Sequence, residues 1–255
     1  MAFAAPSRIR RHTTDPPPDV ASGIISRSMK RCAACDHPGF CPTGKLVAPE
    51  TALASALACT LKRVRRTESL YRAGASFDSL YAIRSGFFKS TVALEDGRDQ
   101  VIAFHMAGEV LGMDGIGTDS YTADTTALED SEVCIIPRAR LNDPVLQREL
   151  FKVMSRELVR DQGVMLLLGS MGSAERLATF LLNLSQRFVA RGYSSQEFHL
   201  RMTREEIGSY LGLSLETVSR LFSRFHGEGL VCVAQKHIRI QDIDGLRAVT
   251  TAANG

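Results

Sequence analysis

Three cysteines, Cys32, Cys35 and Cys41, stand in the spacing C-x2-C-x5-C inside the segment CAACDHPGFCP. Two thiols so placed can form a disulfide, whereas three soft thiolates more naturally surround a metal centre. Pro38, Gly39 and Pro42 let such a loop fold around something compact. Sites with four cysteine ligands hold tetrahedral zinc or a cubane iron–sulfur cluster, and the loop alone leaves both open. A fourth ligand has to come from elsewhere. His37 reads as a solvated loop residue, while Cys59 and Cys232 read as buried, inert thiols. Six cysteines in 255 residues are too few for a disulfide scaffold.

A second constellation lies near the C-terminus. Thr203 and Glu206 stand three apart as a capping box, opening a short helix that carries Ile207, Tyr210 and Leu211 and stops at Gly212. Ser214 then caps a second helix, SLETVSRLFSRFHGEG, ending at Gly227 or Gly229. Two helices joined by a glycine turn make a helix-turn-helix. Val218, Leu221, Phe222 and Phe225 fall on its buried side, and Glu216, Ser219, Arg220 and Ser223 on the other. An exposed arginine there can pair with guanine, and a glutamate can accept from cytosine N4. The stretch LVCVAQKHIRI reads as a two-stranded wing with Lys236 and His237 near its turn. Charge decides little, since residues 199–247 hold seven Lys/Arg against six Asp/Glu.

The elements between must position these groups. Residues 1–30, with Pro16 to Pro18 and few large apolar side chains, read as a disordered tail. Residues 51–61, TALASALACTL, read as a short helix. From Val64 to Pro137 short apolar stretches alternate with turn signals such as Ser85-Gly86 and Asp96-Gly97, which predicts an antiparallel barrel or sandwich. Residues 143–169 turn helical, with Phe151, Met154, Leu158, Asp161, Met165 and Leu168 at alternating spacings of 3 and 4, a heptad seam. A further helix is predicted over 173–190. No apolar run approaches the roughly 18 residues of a membrane span, and Arg8, Arg10 and Arg11 lead into no signal-peptide core. The net charge of +3 announces no partner, and the composition predicts a cytoplasmic protein of two modest domains.

The stretch MTREEIGSYLGLSLETVSRLFSRFHGEGLV resembles the helix-turn-helix of the CRP/FNR family of bacterial transcription regulators. The spacing E-x-x-S-R, here Glu216, Ser219 and Arg220, resembles the base-reading triplet of the FNR branch and implies double-stranded DNA with symmetric TTGAT-like half-sites. The same branch resembles this chain in its C-x2-C-x5-C loop and one distant cysteine, matched by Cys134 in EVCIIP. The resemblance implies that Cys32, Cys35, Cys41 and Cys134 ligate an oxygen-labile [4Fe–4S] cluster, and it covers roughly residues 30–247.

The implied architecture is α+β: a disordered tail (1–30), a cluster-binding loop with an antiparallel β-roll or jelly-roll sensor domain (31–142), a dimerisation helix (143–170) and a winged helix-turn-helix (171–250). The implied protein is a homodimeric activator of anaerobic genes, with Phe151, Met154, Leu158, Asp161, Met165 and Leu168 at the dimer interface. Asp36 and Phe40 depart from family habit beside the cysteines. RNA polymerase is an expected partner; the hairpin at Glu95–Arg98 resembles a family surface that serves this contact, but Arg98 departs from its acidic character, which leaves open the surface used. The Gly108-Glu109 turn resembles that of cyclic-nucleotide receptors, but no Lys or Arg lies between Arg98 and Arg138 to pair a phosphate, so no cyclic nucleotide is expected. A zinc or thiol/disulfide switch on the same fold is the alternative. An enzyme is not expected, as the chain shows no glycine-rich nucleotide loop and no Ser-His-Asp arrangement.

Overall fold

The computed structural model describes residues 60–251. The tail, the loop holding Cys32, Cys35 and Cys41, and Cys59 lie outside the described residues.

Eight strands fold as two four-stranded antiparallel sheets. One has the order β1 (Thr60–Val64), β8 (Ser131–Pro137), β3 (Ser79–Ser85), β6 (Val110–Leu111). The other runs β2 (Ser69–Tyr71), β7 (Asp124–Ala127), β4 (Phe87–Ala93), β5 (Asp99–Met106). Strand side chains alternate between faces, and Phe77, Leu80, Ala82, Phe88, Leu111 and Val133 form the dry interior of this roll. Gly86 turns β3 into β4 with φ 102, and a Cβ there would lie 2.0 Å from the Ser131 Oγ, so only glycine fits. The predicted helix over 51–61 is corrected at its end: Thr60 and Leu61 belong to β1, paired with Ile135 and Cys134 of β8. Ladder pairing along a sheet edge overrides the weak helical preference of an alanine-rich stretch.

Helix α1 (Pro144–Ser170, 27 residues) follows the roll, about 40 Å long at 1.5 Å per residue. Leu146, Leu150 and Leu167 are buried. The predicted seam is bare in the single chain, with Phe151 68%, Leu158 61% and Met165 70% exposed, joined by Met154, Val159, Leu166 and Leu168. Asp161, in the middle of that seam, is also exposed. Helix α2 (Ser173–Val189) then buries Leu177, Ala178, Leu181 and Leu184.

The C-terminal unit consists of β9 (Glu197–His199), α3 (Arg204–Leu211), α4 (Leu215–Gly227), β10 (Val231–Ala234), β11 (His237–Ile240) and α5 (Ile243–Thr251). The wing is three-stranded, in the order β10-β11-β9. The third strand and the closing helix α5 go beyond the sequence reading. The core of this unit, with Ile207, Leu211, Phe222, Phe225 and Ile238, continues without a break into Phe87, Val101, Phe104 and Met106 of the roll.

Candidate nucleic-acid interface and thiol ligand

The helix-turn-helix is built from local bonds. Thr203 Oγ1 accepts from the Glu206 N–H at 3.1 Å, and the Glu206 carboxylate accepts from the Thr203 N–H at 2.6 Å, closing the capping box of α3. Gly212 ends α3 in the left-handed region at φ 64. Ser214 Oγ accepts from the Thr217 N–H at 3.1 Å and caps α4. Gly208 brings the two helices together, because a Cβ there would lie 2.5 Å from the Leu213 carbonyl oxygen. Gly208→Ala is therefore expected to cost roughly 1–3 kcal/mol by overpacking. Urea unfolding measures it, and an unchanged midpoint would mean that the turn relaxes freely.

Val218, Leu221, Phe222 and Phe225 bury one side of α4. On the opposite side Glu216, Arg220 and Ser223 are exposed and Ser219 is half-buried. At the start of α4 the Glu216 carboxyl is held below its ordinary range by its own backbone N–H, the Ser214 hydroxyl and Arg220. It is thus an ionised acceptor with the Arg220 charge near it. Ser223 spends its hydroxyl on the Ser219 carbonyl at 3.1 Å. The Arg204 guanidinium lies 5.0 Å from the centre of the Phe222 ring, a cation–π contact at the head of α3. Lys236 stands exposed at the wing turn beside Gln235, whose φ is 57.

The sequence gives no sign of how this unit sits on the roll. Helix α3 packs against β5. Lys89 Nζ of β4 meets Glu206 Oε1 at 2.8 Å, so one carboxylate both caps α3 and ties it to the sheet. The Val101 N–H donates to Ser209 Oγ at 2.9 Å, and the Gln100 side chain donates to the Ser209 carbonyl. Phe104, Phe180 and Tyr210 meet ring to ring at 5.2–6.2 Å. Among the described residues nothing covers Glu216, Arg220 or Ser223 on the recognition side of α4.

Of the four predicted thiol ligands, Cys134 is among the described residues. It lies in β8 between Leu61 of β1 and Ala82 of β3 and is 3% exposed. Its neighbour Val133 is buried too, so both faces of the strand are covered. A soft sulfur on a rigid central strand, shielded from water, suits a thiolate-held cluster. Among the described residues no group of three or more His, Cys, Asp or Glu side chains could hold a metal ion. Cys232 is half-buried in β10, less enclosed than the sequence suggested.

A cavity of about 810 Å³ opens between the roll and α1, lined among others by Tyr71, Ser90, His105, Arg160, Arg176 and Tyr210. Cations do reach it, from α1 and α2, although no Lys or Arg lies between Arg98 and Arg138. Both are already bonded: Arg160 to Glu109 and Glu157, and Arg176 to the carbonyls of Leu168, Met171 and Leu211. The β4–β5 hairpin presents Arg98 turned back onto Asp96 at 2.6 Å, which offsets its positive charge.

Comparison with known proteins follows the same division. Residues 175–249 match the Crp-like helix-turn-helix domain and residues 61–147 the cyclic nucleotide-binding domain. The chain is 42% identical over 228 residues to the transcriptional regulatory protein btr of Bordetella pertussis, covering 88% of this chain and 94% of that protein. It belongs to the CRP/FNR family of transcription regulators. Within the family it is also 40% identical to the transcriptional activator protein FnrA of Stutzerimonas stutzeri, over 90% of this chain and 96% of that one. Among solved structures, FixK2 from Bradyrhizobium japonicum superposes with a TM-score of 0.69 at 32% identity, covering 76% of this chain and 98% of FixK2. The likeness to FnrA supports the FNR branch, and the family is one of transcription regulators, not enzymes. Among the described residues no helix is long and apolar enough to cross a membrane.

Proposed function

We propose that this CRP/FNR family member is a cytoplasmic, homodimeric activator of anaerobic transcription that binds symmetric TTGAT-like half-sites and loses DNA in oxygen. The observation that carries the reading is the α4 face, where Glu216, Ser219 and Arg220 stand together on the solvent side of a helix capped and seated on the roll. In a major groove Arg220 would donate to guanine and Glu216 would accept from cytosine, with Ser219 between them. Cys32, Cys35, Cys41 and Cys134 would hold a [4Fe–4S] cluster, whose lability toward oxygen supplies the sensing chemistry. Cys134 ties that site to β8, at the centre of the sheet from which the chain leads into α1.

The bare side of α1 then pairs with its copy. Phe151, Met154, Leu158, Met165 and Leu168 form an apolar seam that a parallel coiled coil would bury, placing two α4 helices one DNA turn apart. Asp161 interrupts the seam, and two such carboxylates facing each other repel, holding the apo-dimer weak. Asp161→Ala is therefore expected to dimerise and bind DNA in air without a cluster, as read by sedimentation and gel shift. A monomeric variant would place the switch elsewhere. As an activator it would also meet RNA polymerase.

The direct test is fluorescence anisotropy of a duplex carrying two inverted TTGAT half-sites against a scrambled duplex, without oxygen and then in air. Preference for the specific duplex, lost in air, is the expected result. Equal affinity for both duplexes would remove the base-reading role of α4.

A further inference from the structure

Glu109, in the turn between β5 and β6, gathers three guanidinium groups. Its Oε1 accepts from Arg187 at 2.9 Å and Arg191 at 2.7 Å, and its Oε2 from Arg187 at 3.0 Å and Arg160 at 3.2 Å. These arginines come from different elements: Arg160 from α1, Arg187 from the last turn of α2, and Arg191 from just beyond it. Two of them also grip the roll's backbone, Arg187 at the Phe104 carbonyl (2.7 Å) and Arg191 at the Ala107 carbonyl (2.5 Å). Arg160 is shared with Glu157 one turn earlier on α1.

The cluster is mostly buried, with the Glu109 side chain 12% and the arginines 13–21% exposed, and its cations outnumber the carboxylates bonded to them. Three guanidiniums face Glu109 and Glu157, and nearby His105 is kept neutral by its burial. Burial alone would raise the Glu109 pKa, but Arg187, Arg160 and Arg191 outweigh it and hold the carboxyl below its ordinary range, so it stays ionised. Arg187 Nε and His105 Nδ1 find no hydrogen-bond partner among the described residues. Buried ion clusters of this kind contribute little net stability, because desolvation offsets the attraction. What they supply is a fixed arrangement, because charge-assisted bonds hold one carboxylate from three directions while Arg187 and Arg191 also hold backbone carbonyls of the roll. The arrangement fixed here is the junction of roll, α1 and α2. Helix α2 in turn packs on α4 and α5, with Leu177, Leu181 and Leu184 in the core of the DNA-reading unit. The direction of α2 at this junction therefore sets where α4 points relative to α1.

We infer that Glu109 is a positioning residue for DNA binding: it bonds α1 and α2 to the roll in one orientation and so sets the angle at which the recognition helix is presented. The inference rests on the DNA-binding reading above. It also gives the Glu109 carboxylate its partners from within the chain.

The test compares Glu109→Gln and Glu109→Asp with the unsubstituted full-length protein, all prepared without oxygen. Circular dichroism, iron content and sedimentation establish fold, cofactor and dimer. Affinity for the TTGAT duplex, taken well below the melting temperature, reads the orientation. Glu109→Gln is expected to weaken binding by roughly 5- to 150-fold, the usual span of coupling between sites, with fold, iron and dimer unchanged. Glu109→Asp, which keeps the charge, should recover part of the loss. A purely stabilising role would lower the melting temperature and leave that affinity alone. Equal affinity of Glu109→Gln and the unsubstituted protein would overturn the inference. Should Glu109→Gln not fold, Arg160→Gln and Arg191→Gln each remove a single arm, and unchanged affinity in both would overturn it equally. If the unsubstituted protein shows no preference for the duplex, the DNA-binding reading has failed and the inference falls with it.

Discussion

Cys134→Ser, purified without oxygen, is expected to be a folded, colourless monomer that no longer prefers the TTGAT duplex. The substitution replaces a soft thiolate donor by a hydroxyl that cannot replace it at a cluster. The fold should survive, because serine is slightly smaller than cysteine and the strand is held on both sides by β1 and β3. A hydroxyl at a position 3% exposed costs about 1–3 kcal/mol if it finds no partner, a loss thermal unfolding would register without abolishing the roll. Cys232→Ser is the control, since that thiol is half-buried in the wing, and its iron content should match the unsubstituted protein. Full iron content in Cys134→Ser would remove this residue from the ligand set.

Arg220→Ala should lose about 1–3 kcal/mol of discrimination at one base pair of each half-site, roughly 5- to 150-fold in relative affinity. Arg220 is exposed and the apolar side of α4 is untouched, so unfolding should not change. Lys236→Ala, at the wing turn, provides the contrast. A lysine that meets phosphate should weaken all sequences alike and reduce the salt dependence by about one unit. Competition with duplexes altered base by base separates the two behaviours. If Arg220→Ala weakened every duplex equally, the arginine would be a phosphate contact and base reading would pass to Glu216 and Ser219.

The parts of this molecule that were legible in the sequence are those written in local periodicity. The capping box of Thr203 and Glu206 shows as a spacing of three, and the two sides of α4 follow from a helix turn, because the bonds involved span only a few residues. The heptad run on α1 was visible for the same reason, and its side chains stand exposed on the single chain. What escaped was non-local. Thr60 and Leu61 look helical in an alanine-rich stretch, and their strand exists only because β8, more than 70 residues on, offers a ladder. Strand β9 is three residues long and is defined by its pairing to β11. The Glu109 cluster joins residues 51, 78 and 82 positions apart, and no window along the chain displays it. The absence of a cation between Arg98 and Arg138 was read correctly, yet it did not predict what the cavity contains, since Arg160 and Arg176 enter from helices. Seating of α3 on β4 and β5 through Lys89 and Ser209 was hidden likewise.

The central claim is that four thiolates, three from a loop and one from β8, hold an oxygen-labile cluster. Its most direct test is the iron and acid-labile sulfide content, with the visible spectrum, of protein purified without oxygen and measured again after exposure to air. About four irons and four sulfides per chain, with a straw-brown absorbance that bleaches in air, is the predicted result. A colourless protein with one zinc, or with no metal and a Cys32–Cys35 disulfide, would contradict it and leave the DNA-binding reading to stand without its sensor.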